Sequence, residues 1–102
     1  MEFIKAHPSL SSGTSLQASI SVPYVDLLAA FGEPHGDGDG HKVDAQWALV
    51  FADGTVATIY NYKNGKNYNG DKGLELFEIT DWHVGGNDWK AGQRVMAALG
   101  IV

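Results

Sequence analysis

The 102-residue sequence predicts a small α+β protein, with an antiparallel β-sheet of three to five strands and two helices packed on one face. Two apolar, β-rich runs flank an Asp-Gly pair at residues 53–54, which is typical of a central β-hairpin. Residues 15–22 alternate apolar and polar side chains, as a half-buried strand does, and residues 23–31 then change to a helical period. The length predicts a single domain over residues 1–102.

The segment 44–63, DAQWALVFADGTVATIYNYK, predicts a hairpin closed by a two-residue turn at Asp53 and Gly54. In that register Phe51 lies opposite Val56, and Trp47 lies opposite Tyr60. One face then carries the larger side chains Trp47, Leu49, Phe51, Val56, Tyr60 and Tyr62, and the other face carries Ala48, Val50, Ala57 and Ile59. We expect the helices to cover the smaller side chains. The larger face is then covered by the N-terminal segment, by a second subunit in a symmetric dimer, or by a ligand.

The remaining elements follow from shorter signals. Residues 1–6 fit a short strand, and residues 15–22, SLQASISV, fit a half-buried one. A helix is predicted from Pro23 to Phe31 and ends at Gly32. Residues 74–79 are either irregular or an edge strand, and residues 80–84 form the last strand. A final helix, capped by Asn87 or Asp88, is predicted to run through Leu99 with Trp89 on its apolar side and Gly92 close to another element.

Composition excludes several classes of function. Seven basic and 12 acidic residues give a net charge of −5, which disfavours general nucleic-acid binding. No cysteine is present, so disulfides, thiol catalysis and thiolate metal sites are excluded. The first residues lack the basic and apolar regions of a signal peptide, and no apolar window approaches 18 residues. These features predict a cytoplasmic protein without a membrane partner.

The loop at residues 33–42, EPHGDGDGHK, is the candidate metal site. Asp37 and Asp39 place two carboxylates on a turning backbone, which suits a hard divalent cation, and His41 is the third candidate ligand. An EF-hand loop starting at Asp37 would require an acidic residue where Ala48 stands, and the spacing matches no zinc motif. A polar turn rich in Asp and Gly is the alternative and the favoured interpretation, so no cofactor is predicted.

The stretch from Tyr60 to Gly70, YNYKNGKNYNG, combines aromatic, basic and amide side chains on an otherwise acidic chain. Such a composition suits a protein interface, and also a nucleotide pocket in which rings stack on the base and lysines hold phosphate. A strand that runs into a turn is the structural alternative. The candidate contact residues are Tyr60, Tyr62, Lys63, Lys66, Asn67 and Tyr68, with Trp47 and Trp82 as neighbours.

Residues 81–84, DWHV, place Asp81 and His83 on one side of the last strand, and Trp82 and Val84 on the other. An Asp–His pair can be half of an acid–base site. The chain nevertheless contains no nucleophile elbow, P-loop, dinucleotide fingerprint or zinc-protease helix. An enzyme, metal-dependent through Asp37, Asp39 and His41, is therefore the less favoured class.

Four segments taken together resemble a group of small bacteriophage and prophage proteins: FGEP, DGDGHKVDAQW, FADGTVATIYNYKNGKNY and ITDWHVGG. The resemblance covers about residues 15 to 99 and carries no catalytic residues. It implies a protein that binds and inhibits a host protein, including one of a defence system, in the host cytoplasm. Some phage proteins of this size instead sequester a signalling nucleotide, so a nucleotide binder is the second hypothesis.

Overall fold

A computed structural model describes residues 1–7, 13–36 and 40–101. Its strands and α-helices follow the order β1 Phe3–Lys5, β2 Ser15–Ser21, α1 Tyr24–Phe31, β3 Gln46–Phe51, β4 Val56–Tyr60, α2 Lys66–Asn69, β5 Asp81–Gly86 and α3 Lys90–Ala98. Two 3₁₀ turns, Gly70–Lys72 and Leu76–Glu78, lie between α2 and β5. The five strands form one antiparallel sheet in the order β1-β3-β4-β5-β2, which confirms the predicted α+β class.

The pairing of β3 with β4 differs from the predicted register by one residue. Val50 lies opposite Val56, and Trp47 lies opposite Ile59. Phe51 donates its N–H to the Thr55 carbonyl at 2.9 Å, so three residues, 52–54, form the connection and the two-residue Asp-Gly turn is not confirmed. Gly54 has φ +87°, the left-handed conformation typical of the last residue in a three-residue hairpin loop.

This shift moves every side chain of β4 to the other face of the sheet. Ala57 and Ile59 join Trp47, Leu49 and Phe51 on one face, whereas Val56 and Tyr60 lie on the face of Ala48 and Val50. The predicted grouping of the two faces is therefore wrong for β4.

Helices α1 and α3 cover the face that carries the large side chains, contrary to the prediction. From α1, the Tyr24 ring centroid lies 5.9 Å from that of Trp47 and 6.0 Å from that of Trp82. From α3, Ala91 packs against Gly86 of β5, on the same face as Trp82. The large rings need the thicker apolar cover that helices supply. Within the described ranges, no helix is long and apolar enough to cross a membrane.

Close packing of α3 depends on glycine at two positions. A Cβ on Gly92 would lie 2.9 Å from the Cβ of Ala18 in β2, so the predicted close approach at Gly92 is confirmed. A Cβ on Gly86 would lie 2.4 Å from the Cβ of Ala91. Trp89 is instead 62% exposed, so its predicted place on the buried side of the last helix is wrong. Trp89 precedes the helix, which begins at Lys90.

An ion pair connects the β3–β4 loop to α3. Arg94 donates from Nε and Nη2 to Asp53 Oδ2 at 3.0 and 2.9 Å, and the Thr55 N–H donates to Asp53 Oδ1 at 3.0 Å. Hydrogen bonds from Thr55, and then from Arg94, lower the pKa of Asp53 to about 2 from its usual 3.8. Because the folded pKa is depressed, this carboxylate stabilises the fold above pH 3.8, and the contribution is lost as the pH falls toward 2.

We expect Asp53→Asn to lower the free energy of unfolding at neutral pH, because the amide cannot form the ion pair with Arg94. The difference from the wild type should shrink as the pH falls from 3.8 toward 2, where the wild-type carboxyl also becomes neutral. Urea denaturation at a series of pH values measures both effects. Asp71→Asn, the same change at an exposed position, is the control. A stability difference between Asp53→Asn and the wild type that stays constant from pH 3.8 to 2 would contradict the stabilising role of the Asp53 carboxylate.

Candidate functional site

The candidate site is a continuous row of ring and ammonium contacts, called here the tyrosine–lysine ladder. Its members, in order of contact, are Tyr60, His83, Tyr62, Lys63, Tyr68 and His41. The imidazole of His83 meets Tyr60 edge-on at 5.5 Å between centroids and stacks on Tyr62 at 5.4 Å, with 23° between the planes. The ammonium of Lys63 lies 5.2 Å from the Tyr62 centroid and 5.4 Å from the Tyr68 centroid.

The sheet and α2 bring these residues together. Tyr60 ends β4, and the pairing of β4 with β5 places His83 directly opposite it. The chain then turns through Tyr62 and Lys63 and enters α2, which carries Tyr68. The Tyr68 ring lies 5.3 Å from that of His41, which precedes β3. Three separate segments therefore supply one surface.

The backbone at Lys63 is strained. Its φ is +61°, and it is the one non-glycine residue with a positive φ within the ranges that the structure covers. This conformation costs a lysine about 1–2 kcal/mol. Two hydrogen bonds hold it: the Lys63 N–H donates to the Lys42 carbonyl at 2.8 Å, and Asn69 Nδ2 donates to the Lys63 carbonyl at 2.9 Å. Such strain concentrates at functional positions, and here it sets the ammonium between two rings.

A buried polar network supports the ladder from below. Asn61 is fully buried, and its Oδ1 accepts the N–H groups of Asp44 at 2.7 Å and Ala45 at 3.1 Å. Its Nδ2 donates to Asp44 Oδ1 at 2.8 Å and to Asn64 Oδ1 at 2.9 Å. All the polar atoms of this side chain are thus used, which pins the turn after β4 to the segment before β3.

Gly65 packs directly against this network. A Cβ at that position would lie 2.1 Å from Asp44 Oδ1, so no side chain fits there. The other Asp44 oxygen, Oδ2, accepts the N–H of Asn67 at 3.1 Å and so connects the network to the first turn of α2. The Asp44 carboxylate therefore helps to fix the position of α2, and with it that of Tyr68.

Two of the predicted contact residues have partners within the protein. Asn67 Nδ2 donates to the Val43 carbonyl at 2.9 Å, so its amide helps to hold α2 in place. Lys66 Nζ lies 3.4 Å from Glu75 Oε1, in an exposed ion pair. Lys63, in contrast, makes no ion pair with any residue in the described part of the chain, and its contacts are the two rings.

The two tryptophans predicted as neighbours of this surface lie in the core. Trp47 and Trp82 are both fully buried, with their ring centroids 5.6 Å apart. Trp47 Nε1 donates to the Gly32 carbonyl at 2.9 Å, and Trp82 Nε1 donates to the Val22 carbonyl at 3.0 Å. The expectation that the helices leave the face of Trp47 uncovered is wrong, because Tyr24 of α1 packs against its ring. Neither indole can contact a partner at the surface.

Exposure along the ladder is graded. Tyr62 and Tyr68 are 41% and 42% exposed, Lys63 is exposed, and Tyr60 is half-buried. Burial, and then the neighbouring Tyr62 hydroxyl, raises the pKa of Tyr60 above its usual value of 10.0. Tyr60 therefore remains a neutral phenol at physiological pH. The outer part of the ladder can meet a partner while the inner part supports it.

The predicted metal ligands divide between two settings. Asp37 and Asp39 lie outside the described residues, whereas His41 packs against Tyr68 in the ladder. Among residues 1–7, 13–36 and 40–101, no three His, Cys, Asp or Glu side chains cluster as a metal site would require. Asp81 and His83 do share one side of β5, but the ring contacts of His83 are with Tyr60 and Tyr62.

A concave feature lies away from the ladder, at the opposite edge of the sheet. A cavity of about 760 Å³ is lined by residues 1–4 and 50–52, none of which belongs to the ladder. Its walls include the exposed side chains of Met1 and Ile4. Glu2 is the one charged side chain among these lining residues, so the walls lack the several convergent polar groups that usually fix a polar ligand.

The sequence matches no protein-family model, and a search of curated proteins found no significant match. The function of this protein is therefore inferred from the chemistry of the ladder.

Sequence reasoning identified four of the six ladder residues as one contact surface, Tyr60, Tyr62, Lys63 and Tyr68, but it did not include the two histidines. His83 joins because β5 pairs with β4, and His41 joins because α2 folds back toward the segment before β3. A period-two pattern places His83 on a face of its own strand but does not say which strand lies next to it. His41 lies only three residues before Asp44, and Asp44 holds α2 by accepting the Asn67 N–H. This short spacing in the chain is the signal that could have placed His41 near Tyr68 of α2.

Proposed function

We propose that this is a non-enzymatic binding protein that inhibits a host protein by direct contact through the tyrosine–lysine ladder. The observation that carries the proposal is the Lys63 ammonium, held between the Tyr62 and Tyr68 rings by a strained backbone. Tyrosine offers a large, amphipathic contact area at low entropic cost, and binding hot spots in protein interfaces are enriched in it. The phage origin and the host target rest on the resemblance of the four sequence segments.

A protein partner fits this surface better than a nucleotide does. Of the two lysines proposed to hold phosphate, Lys66 already pairs with Glu75, which leaves Lys63 for that role. The side-chain amide of Asn67, another candidate contact residue, already donates to the Val43 carbonyl. Tyr62 and Tyr68 are 41% and 42% exposed, so each ring presents part of its area to a partner. These contacts favour an extended interface in which Lys63 meets an acidic side chain.

We expect the double substitution Tyr62→Ala and Tyr68→Ala to weaken partner binding at least about 100-fold and to leave the fold intact, because both rings lie at the surface. Immobilised wild-type protein and variants are exposed to lysate of the bacterial host, and retained proteins are quantified by mass spectrometry. Calorimetry with the purified candidate then gives the affinity. Phe77→Ala, at a 72% exposed position outside the ladder, is the matched control.

A partner must be retained by the wild type and by Phe77→Ala, and lost by the double variant. Equal affinity of the double variant would overturn the surface assignment. Lys63→Gly adds a sharper comparison, because glycine adopts a positive φ without strain. We expect it to fold at least as stably as the wild type but to bind at least about tenfold more weakly, since the cation is gone.

A further inference from the structure

We infer that the free edge of β2 is an interface between two copies of this chain, which pair their β2 strands antiparallel about a two-fold axis. β2 ends the strand order and pairs with β5 on one side only. Within the described part of the chain, no strand pairs with its outer side. An edge strand offers a row of backbone donors and acceptors that a second strand can use.

The hydrogen-bond pattern identifies the groups that point outward. Val22 donates its N–H to the Thr80 carbonyl at 2.8 Å, toward β5. Because bonding direction alternates along an antiparallel strand, Ile20 also bonds toward β5, whereas Ser19 and Ser21 direct their N–H and C=O groups away from it. The pairing irregularity lies between Leu16 and Ala18, so residues 18–21 remain regular. With Ser19 of one copy opposite Ser21 of the other, these residues can form four backbone hydrogen bonds.

The chemistry of the edge suits a second copy of the same chain. Self-pairing about a two-fold axis sets each side chain opposite its own kind or a near neighbour, so a charge near the axis would face the same charge. The strand sequence, SLQASIS, contains no charged residue and no proline. The opposite edge differs: β1 is only three residues long and contains Lys5. Short length and lysine are usual protections against pairing, and the seven-residue β2 lacks both.

An exposed tryptophan lies beside this edge. Gly92 of α3 packs on Ala18 of β2, so that side of the helix lies above the edge strand. Trp89 is one turn earlier on the same side, and its indole is 62% exposed. Large aromatic side chains are enriched at protein interfaces. In a two-fold dimer, each copy would cover the Trp89 side chain of the other. The uncharged strand β2 and the exposed indole of Trp89 are two independent features of the same edge.

The pairing has a consequence for the ladder, if the proposed function holds. His83 lies opposite Ser19 across the β5–β2 pair, so the ladder begins one strand from the edge. In the ten-stranded sheet of the dimer, three strand spacings separate the two His83 residues, which places them about 15 Å apart. Both ladders then lie on the same face. A single target with two-fold symmetry could engage both, which would raise its apparent affinity.

Sedimentation equilibrium over a wide range of protein concentration tests the edge directly. We expect the wild type to reach twice the 11.0 kDa chain mass as the concentration rises. Ser19→Lys, at an exposed position near the axis, should raise the dimer dissociation constant at least about tenfold. Val25→Lys, which adds the same charge at a 58% exposed position of α1, should leave it unchanged.

Ser21→Lys repeats the test if Ser19→Lys does not fold, as judged by circular dichroism. A wild type that stays at the chain mass at every concentration would overturn the inference. Folded lysine variants that dimerise as the wild type does would also overturn it, as would an equal loss in Val25→Lys. The double variant Tyr62→Ala and Tyr68→Ala should remain dimeric, so failure of the ladder proposal and failure of the edge proposal give different results.

Discussion

Replacing Trp82 with alanine is expected to lower the free energy of unfolding by about 3–5 kcal/mol. The indole is fully buried between Trp47 and Tyr24, with ring centroids 5.6 and 6.0 Å away. Truncation loses these contacts, leaves a cavity, and leaves the Val22 carbonyl without its donor at 3.0 Å. Because a domain of this size is stable by only about 5–15 kcal/mol, the variant should be close to unfolding.

Trp89→Ala is the matched control for Trp82→Ala. The same truncation at a 62% exposed indole should change the stability by no more than about 0.5 kcal/mol. Urea denaturation followed by far-ultraviolet circular dichroism avoids dependence on the removed fluorophores. The protein is kept dilute, so that any contact of Trp89 with a second copy does not contribute. Equal losses in the two variants would contradict the placement of Trp89 at the surface.

Asn61→Ala should cost about 3 kcal/mol of unfolding free energy, because it removes four hydrogen bonds at a buried position. The N–H groups of Asp44 and Ala45 lose their acceptor, and the Asp44 carboxylate loses a donor. Denaturant titration measures the loss, and Asn87→Ala, the same change at an exposed position, is the control. A loss below about 0.5 kcal/mol would contradict a structural role for this amide.

In the substitution Asn61→Asp the new side chain has nearly the same shape as the old one, so the effect of charge is separated from that of volume. It places a carboxylate 2.8 Å from Asp44 Oδ1, where two negative charges repel each other. The folded pair then has a raised pKa, so the variant is least destabilised below about pH 4 and most destabilised near neutral pH. A loss of unfolding free energy that does not change with pH would show that movement of the turn relieves the repulsion between the two carboxylates.

Local patterns predicted those parts of the fold that local physics decides. The alternation in residues 15–22 and the helical stripe in residues 23–31 correspond to β2 and α1 within two residues at each boundary. The faces of β4 were predicted wrongly because Asp53-Gly54 suits both a two-residue turn and a three-residue loop. The observed loop is the one in which Asp53 also meets Arg94 of α3, a contact between residues 41 apart in the chain.

The candidate site shows the same limit. Its tyrosines and Lys63 were recognisable as a local cluster of unusual composition, whereas His83 entered through strand pairing. α2 is not predicted by the sequence, since a four-residue helix with glycine on both sides has little intrinsic stability. It forms next to Asp44, whose carboxylate accepts the Asn67 N–H from 23 residues away. Contacts of this range have no signature in one sequence.

The Asn61 network also bears on how this protein can change over evolutionary time. The side chains that hold the turn, those of Asn61, Asp44 and Asn67, bond to one another and to the backbone, while the rings of Tyr62 and Tyr68 project outward. Under the proposed function, selection for folding therefore acts on one set of residues and selection for partner choice on another. A chain built this way can follow a changing target through substitutions at the outer rings without losing its fold.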